Sequence, residues 1–181
     1  KKKQNVNLVI LGGSQGSELL SLKLCNCIIK LPKNLKNRLI IAHQVRANDL
    51  KRVKENYKKN NIKSKVQIFI EDISKHLEEA SLVISRAGSS TIWENSIAGI
   101  PAAYFPIFNS VGDHQFKNAD VFRKKEAAWI FSEKDLDEGR FFKFLIKNID
   151  NYKILNKKAI KNRSLASPNA TKDISNLIMR L

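Results

Sequence analysis

Cysteine is scarce in this sequence. Its 181 residues contain only two cysteines, Cys25 and Cys27, which stand two apart on a predicted helix and therefore point to different sides of it. Their C-x-C spacing has no second half elsewhere in the chain, which disfavours a zinc site. We therefore expect reduced thiols and a reducing, cytoplasmic setting.

Glycine, proline and long apolar runs are also few. The chain has 7 glycines and 4 prolines, and 43% of its residues are hydrophobic, which is typical of one globular domain with a proper core. No apolar run is long enough to span a bilayer, and no signal peptide precedes the first predicted strand. We expect residues 1–5 to be a linker or chain end and residues 6–181 to form the domain.

Acidic residues are outnumbered by basic ones. Lysine and arginine number 33 against 17 aspartates and glutamates, a formal net charge of +16. Such an excess indicates an anionic partner: nucleic acid, an anionic membrane surface or a phosphorylated substrate. Many lysines, however, stand beside asparagines, as in K-K-N-N at residues 58–61, which is typical of a solvated face. No RNA-recognition, KH or zinc-finger pattern accompanies the charge, so we expect no nucleic-acid partner.

Apolar runs alternate with amphipathic stretches along the whole chain. Six runs predict strands at residues 6–11, 39–43, 66–70, 82–85, 101–105 and 128–131, and helices are predicted between and after them, including one over residues 135–149. This alternation predicts an α/β fold, a Rossmann-like open parallel sheet with helices on both faces. In such sheets ligands bind beyond the carboxyl ends of the strands.

The stretch over residues 82–101 carries the most distinctive motif. A buried strand is followed by Gly88, then by the N-cap residue types Ser89, Ser90 and Thr91, an apolar helix, and Gly99 at its predicted end. Unpaired backbone N–H groups and the positive end of the helix dipole would face out of this turn. A phosphate group could bind there without a metal ion.

Glu94 in this motif has two interpretations. Thr91 and Glu94 have the spacing of a capping box, in which the carboxylate would bond the backbone of its own helix. Alternatively, a carboxylate one turn into the helix accepts hydrogen bonds from the two hydroxyls of a sugar diol. The spacing alone does not separate these roles.

The first predicted strand ends at a second glycine turn, G-G-S-Q-G at residues 12–16. It is neither G-x-G-x-x-G nor a P-loop. It matches the G-x-S-x-G nucleophile elbow of serine hydrolases, with Ser14 as nucleophile and Asp113 and His114 as acid and base. Adjacent residues on one element do not readily align such a triad. The favoured interpretation is a second phosphate cradle to which Ser14 donates its hydroxyl.

Polar side chains begin a later helix. Asp113 is a plausible N-cap, which places His114 and Gln115 in the first turn, where side chains that donate and accept hydrogen bonds suit sugar recognition. His43, at the end of the second strand, is a weaker example of the same chemistry. The D-x-D of residues 135–137 lies at a predicted helix start and is interpreted as structural.

Together these motifs resemble the MurG family of glycosyltransferases, which transfer N-acetylglucosamine to lipid I in peptidoglycan synthesis. The matching segments are G-G-S-Q-G at 12–16, H-Q at 43–44, F-I-E-D at 69–72, the run from 85 to 99 with Pro101, and D-H-Q-x-x-N-A at 113–119. The chain departs from the family pattern at Val45-Arg46 and at Ser89-Ser90.

The resemblance implies the donor-binding half of an inverting GT-B enzyme, which binds UDP-N-acetylglucosamine without metal or cofactor. The backbone of Ile70 would bind the uracil, Glu94 the ribose, and Gln115 with His114 the sugar. The remaining donor-binding residues it implies are Gly13, Ser14, Gln15, Gly88, Ser89, Ser90, Thr91, Ile92 and Trp93.

The resemblance also implies what lies outside this chain. The general base and the binding of lipid I would belong to an N-terminal acceptor domain that this chain lacks, at the cytoplasmic face of the bacterial inner membrane. A stand-alone nucleotide-sugar-binding subunit of a split glycosyltransferase is the alternative.

Overall fold

A computed structural model describes residues 5–13, 17–107 and 111–179 of the chain. Its strands are β1 (Val6–Leu11), β2 (Leu39–Gln44), β3 (Lys63–Gln67), β4 (Leu82–Ser85), β5 (Ala102–Tyr104) and β6 (Ala128–Ile130). Its α-helices are α1 (Leu24–Ile28), α2 (Lys33–Lys36), α3 (Leu50–Lys59), α4 (Ile73–Glu78), α5 (Ser89–Ala98), α6 (His114–Lys124), α7 (Glu133–Asp137), α8 (Arg140–Asn148), α9 (Tyr152–Arg163) and α10 (Ala170–Ile178).

The six strands form one parallel sheet, which confirms the predicted fold class. Their order is β3-β2-β1-β4-β5-β6, and every neighbouring pair runs parallel. The chain therefore moves outward from β1 in one direction and then, from β4, in the other. The order reverses between β1 and β4, which is where open sheets of this type form a ligand crevice at their carboxyl edge.

Both faces of the sheet are covered by helices. Because side chains alternate along a strand, Leu8 and Ile10 face one core, with α1, α3 and α8, whereas Val9 faces the other, with α4, α5 and α6. Such coverage explains why the central strands β1 and β4 are mostly apolar. All four residues of β4 are buried.

The edge strand β3 begins three residues earlier than predicted. The apolar run over residues 66–70 predicted a strand there, but Ile68 and Phe69 lie in the loop after β3 and are 52% and 68% exposed. The strand instead includes the exposed Lys63 and Lys65. Polar residues are tolerated because an edge strand needs few buried side chains, and lysines protect its free edge.

Two helices in the structure differ in detail from the helices that the sequence predicts. The helix expected over residues 135–149 is broken into α7 and α8 by Gly139, whose φ of 71° is left-handed. The helix after the first glycine turn starts with a π-helical turn, Leu19–Lys23, before it continues as α1. Such π turns occur often at functional sites.

None of the helices in the described part of the chain combines the length and the apolar character needed to cross a bilayer.

Candidate functional site

A cleft of about 860 Å³ opens at the carboxyl edge of the sheet, where the strand order reverses. The turn after β1, the turn after β4 and the segment after β5 form its walls. It is lined by Gly12, Gly13, Ser17, Glu18, Leu19, Lys23, Arg86, Gly88, Ser90, Thr91, Ile107, Gln115 and Glu133. A second cavity, of about 510 Å³, lies at the opposite edge, beside Val6 and Pro101, and contains none of the predicted site residues.

The turn after β4 presents a helix N-terminus to the cleft. Helix α5 begins at Ser89 with Gly88 as its N-cap and without a side-chain cap, so of the two interpretations of Glu94 the capping box with Thr91 is wrong. The Ile92 N–H bonds the Gly88 carbonyl at 3.0 Å. The N–H groups of the three residues before Ile92 have no intrahelical acceptor and are available to an anion.

Gly88 leaves room for a ligand. Its φ of −63° suits any residue, and a Cβ built on it would meet no atom within 4 Å. The fold therefore does not require glycine here. A side chain would occupy open space at the cleft wall, which is the space that a bound phosphate needs.

The turn after β1 forms the facing wall. Gly13 has a φ of 80°, a left-handed conformation that favours glycine and turns the backbone out of the strand. Gly12 and Gly13 both line the cleft. The predicted site residues Ser14 and Gln15 lie outside the described residues.

Arg86 and Ser17 lie at the cleft between these turns. The Arg86 guanidinium donates to the Phe105 carbonyl at 2.9 Å and to Ser17 Oγ at 2.8 Å. Burial lowers the pKa of Arg86 from its ordinary value, which the nearby Glu133 carboxylate opposes. An arginine remains charged nevertheless, so the cleft holds a fixed positive charge.

An ion pair lies at the mouth of the cleft. Lys23 Nζ is 2.6 Å from a Glu133 carboxylate oxygen and 3.4 Å from Asp137. The hydrogen bond with Glu133 raises the pKa of Lys23. Both side chains are exposed, so the pair contributes little stability and is free to rearrange around an anion.

The segment after β5 is held to the start of α6 by Gln115. The Ile107 N–H donates to the Gln115 side-chain oxygen at 3.2 Å, which leaves the amide NH₂ as the donor for the cleft. Asp113 is the N-cap of α6, as predicted, but with a left-handed φ of 49° and no side-chain cap bond. His114 is exposed, and its ring lies against Gly112 rather than in the cleft lining.

Ile70 and Glu94 lie beyond the cleft lining. Ile70 buries its side chain in the core beneath α4 and α5, and within the described part of the chain its backbone N–H and carbonyl have no hydrogen bond. Glu94 is exposed and stands one helical turn after Ser90 on the same face of α5. Both positions are compatible with the base and ribose contacts that the family resemblance implies.

The cleft lining also excludes the predicted residues Ser89, Ile92, Trp93 and His43. Ile92 is buried in the core, and Trp93 packs edge-on against Phe122 at a centroid distance of 5.9 Å. His43 is fully buried, and burial lowers its pKa to about 4. The interpretation of His43 as a sugar-binding side chain is therefore wrong.

The D-x-D motif is structural, as predicted. The Asp135 carboxylate accepts hydrogen bonds from the backbone N–H and the hydroxyl of Ser132, at 2.6 and 2.7 Å. Ser132 and Asp135 thereby form the capping box of α7. Arg140 pairs with the remaining carboxylate oxygen at 2.6 Å.

The sequence interpretation gave no role to five polar residues of the cleft, which are Ser17, Glu18, Lys23, Arg86 and Glu133. They come from four separate segments, so no spacing along the chain joins them. Arg86 offered the one usable signal, because it stands directly after a buried strand and two residues before the turn glycine.

Comparison with known proteins places this chain in a family. Residues 7–178 match the family model described as the glycosyltransferase family 28 C-terminal domain. In structure, the chain resembles MurG of Acinetobacter baumannii with a TM-score of 0.87 and 30% identity, over 100% of this chain and 54% of that chain. A UDP-GlcNAc 2-epimerase from Neisseria meningitidis shares the fold alone, with a TM-score of 0.61 at 13% identity.

Curated relatives carry the name UDP-N-acetylglucosamine–N-acetylmuramyl-(pentapeptide) pyrophosphoryl-undecaprenol N-acetylglucosamine transferase. The Caulobacter vibrioides protein is 30% identical over 96% of this chain and 48% of its own length, and that of Paramagnetospirillum magneticum is 31% identical over 97% and 47%. The chain thus spans about half the length of these relatives. The family-model match over nearly all of its residues shows that this chain belongs to the glycosyltransferase family 28 C-terminal domain family.

Proposed function

We propose that this chain is the donor-binding half of an inverting glycosyltransferase and that its cleft binds the diphosphate of UDP-N-acetylglucosamine. The observation that carries the proposal is the convergence of three anion-binding features on one cleft. The glycine turn after β1, the open N-terminus of α5 and the Arg86 guanidinium all line it. This is the location at which open α/β sheets bind their ligands.

The same features supply the chemistry of glycosyl transfer. When an acceptor hydroxyl attacks the anomeric carbon, the bond to the diphosphate breaks and the leaving UDP gains negative charge. Fixed N–H dipoles and a positive side chain stabilise that charge in the transition state without reorganising. No step of this scheme requires a metal ion.

The proposal also assigns residues to the uracil, the ribose and the sugar of the donor. The backbone groups of Ile70 bind the edge of the uracil, and the exposed Glu94 carboxylate accepts hydrogen bonds from the two ribose hydroxyls. The free amide NH₂ of Gln115 donates to the sugar, with His114 beside it. Ser14 and Gln15 complete the diphosphate contacts from the turn after β1.

The acceptor side of the reaction belongs to the rest of the protein. The relatives' names specify a pyrophosphoryl-undecaprenol acceptor, and about half of their length has no counterpart here. We assign lipid I binding and the general base to that part. For such an acceptor we assign the enzyme to the cytoplasmic face of the inner membrane, where the basic surface of this domain would favour anionic lipid.

Isothermal titration calorimetry of this chain tests the donor site directly. We expect UDP and UDP-N-acetylglucosamine to bind, and UDP-glucose to bind with a different affinity because Gln115 contacts the sugar. Binding should be weak, since the partner domain is not there to close over the ligand. Turnover with lipid I should be undetectable for this chain alone.

A single-stranded oligonucleotide serves as the competing ligand in the same titration. Tight oligonucleotide binding without UDP binding would replace the proposal with nucleic-acid recognition by the basic surface. Turnover by this chain alone would show that the general base lies within these residues. Activity that appears only with a separate acceptor chain would identify a split enzyme.

A further inference from the structure

We propose that Ser17 and Arg86 form a phosphate-oxygen subsite in the cleft, in which Arg86 holds Ser17 as a hydrogen-bond donor and supplies a fixed positive charge. The subsite rests on the proposed binding of a nucleoside diphosphate, to which Arg86 already contributes its charge. It adds Ser17, to which neither the motifs nor the family resemblance assigned a role, and the coupling of Ser17 to Arg86.

Ser17 is placed for this by its burial and its location. Only 8% of the residue is exposed, and that remainder lines the cleft. It stands directly before the helix that follows the glycine turn, and its carbonyl accepts from the Ser21 N–H at 2.8 Å. This hydrogen bond to the helix fixes the backbone of Ser17 and thereby restricts where its side chain lies.

The hydrogen bonds around Ser17 determine the direction of its hydroxyl. A serine oxygen has two acceptor lone pairs and one donor hydrogen. Both lone pairs have donors, the Arg86 guanidinium at 2.8 Å and the Leu20 N–H at 3.4 Å. Within the described residues the hydroxyl hydrogen has no acceptor, so it is available to an oxygen in the cleft.

Arg86 is fixed equally well. Its bonds to Ser17 Oγ and to the Phe105 carbonyl tie together the ends of β1, β4 and β5. A guanidinium has five N–H donors, and the other three have no hydrogen-bond acceptor in the described part of the chain. Because the group is rigid and always charged, it can bind an anion without losing its two structural bonds.

Ser17→Ala is the primary test, measured by calorimetry with UDP and, by competition, with uridine. We expect the Kd of UDP to rise about tenfold, since a hydrogen bond to a charged group is lost, while that of uridine stays within about twofold. Ser21→Ala is the matched control. It removes another buried hydroxyl of the same helix, which accepts from the Arg46 N–H at 3.1 Å and does not line the cleft.

The Arg86→Lys and Arg86→Met variants separate charge from geometry. Lysine keeps the charge but not the fork that bonds Ser17 and Phe105 together, so UDP should bind more tightly to Arg86→Lys than to Arg86→Met. In the Arg86→Met background, Ser17→Ala should raise the Kd of UDP by less than it does in the wild-type chain. Without the guanidinium to fix it, the Ser17 hydroxyl of Arg86→Met no longer points into the cleft. Thermal melts without ligand report the folding of each variant.

The outcomes are distinct. A wild-type chain that does not bind UDP contradicts the proposed function itself. A wild-type chain that binds UDP with a Ser17→Ala variant of equal affinity contradicts the subsite alone. If Ser17→Ala raised the Kd of UDP and that of uridine equally, this would also overturn the subsite, because Ser17 would then act only by shaping the turn.

Discussion

The His43 Nε2 atom lies 2.7 Å from the carbonyl oxygen of Leu20, inside the core. A carbonyl only accepts hydrogen bonds, so Nε2 carries the proton, and Nδ1 accepts from the Tyr57 hydroxyl at 2.9 Å. The neutral ring thereby joins β2 and α3 to the π turn that follows the first glycine turn. A histidine that looks like a binding residue in the sequence is instead part of the support of the cleft.

This pair predicts a pH dependence of stability. Burial lowers the pKa of His43 from 6.5 to about 4, so between these values the unfolded chain binds a proton that the folded chain does not. Stability is therefore complete above about pH 6.5 and falls as the pH drops towards 4, with a slope of about 1.4 kcal/mol per pH unit. Urea denaturation from pH 4 to 8 measures this slope.

The control for that measurement is His43→Gln, which retains a donor and an acceptor but does not titrate. Below pH 6.5 the free energy of unfolding of the variant should depend less steeply on pH, by the slope that the uptake of one proton contributes. An equal slope in both chains would mean that His43 is not held neutral in the fold.

Sequence patterns predicted the fold well because the strands of a doubly wound sheet are buried on both faces. Strands β1 and β4 occur at their predicted bounds, since burial on both faces gives them a nearly continuous apolar run. Strand β3 was misplaced because it lies at the edge, where Lys63 and Lys65 are tolerated and apolar content no longer marks the strand.

Glu94→Gln tests the ribose contact. The helix that contains Glu94 begins at Ser89 and is not capped by this side chain, so the melting temperature should hardly change. Affinity for UDP should fall by about 1–3 kcal/mol, because a charged acceptor for two hydroxyls becomes a neutral one. Calorimetry with UDP gives the affinity and a thermal melt gives the stability.

The reverse pattern would remove Glu94 from the site. If Glu94→Gln lowers the melting temperature and leaves UDP affinity unchanged, the carboxylate has a structural role that its exposed position does not indicate.

Gly88 and Gly99, at the two ends of α5, form a matched pair of substitutions. In Gly88→Ala the new methyl group meets open space, so stability should fall by less than about 1 kcal/mol while UDP affinity falls because the methyl group obstructs the phosphate. In Gly99→Ala a φ of 67° and a contact of 3.2 Å with Arg163 should cost about 1–2 kcal/mol of stability and leave binding intact.

Measuring both quantities for both variants makes the comparison decisive. Unchanged UDP affinity in Gly88→Ala would mean that no phosphate approaches the N-terminus of α5.

The site was less predictable than the fold, for a physical reason. Gly13 was identifiable because a left-handed turn favours glycine, and Gly88 and Gln115 because they stand at predicted helix starts. Ser17 and Arg86 are 69 residues apart along the chain, and only the packing of β1 beside β4 brings them together. Such convergent side chains leave no periodic or spaced signal in one sequence.

Ser14 tests the hydrolase alternative. Ser14→Ala should give a folded protein that binds UDP less well, and a fluorophosphonate probe should not label the wild-type chain, because the adjacent Asp113 and His114 do not readily align as acid and base. Intact-mass spectrometry after incubation detects the label. Covalent modification at Ser14 would favour a serine hydrolase over a transferase.

The final prediction concerns metal ions and salt. Among the described residues no cluster of three histidine, cysteine or acidic side chains could hold a metal ion, and the proposed diphosphate contacts come from backbone N–H groups and Arg86. UDP affinity should therefore stay within about twofold when EDTA is added, because these groups bind the anion without a bridging cation. It should fall modestly as salt rises, since the contacts are charge-assisted and part of the attraction comes from surrounding basic residues.

Calorimetry in EDTA, in magnesium and at two salt concentrations measures each effect, and Lys65→Gln, on the exposed edge of the sheet, is the control for general surface charge. A strict requirement for magnesium would mean that a cation bridges the diphosphate to the acidic residues of the cleft, Glu18 and Glu133, and would contradict the metal-free mechanism.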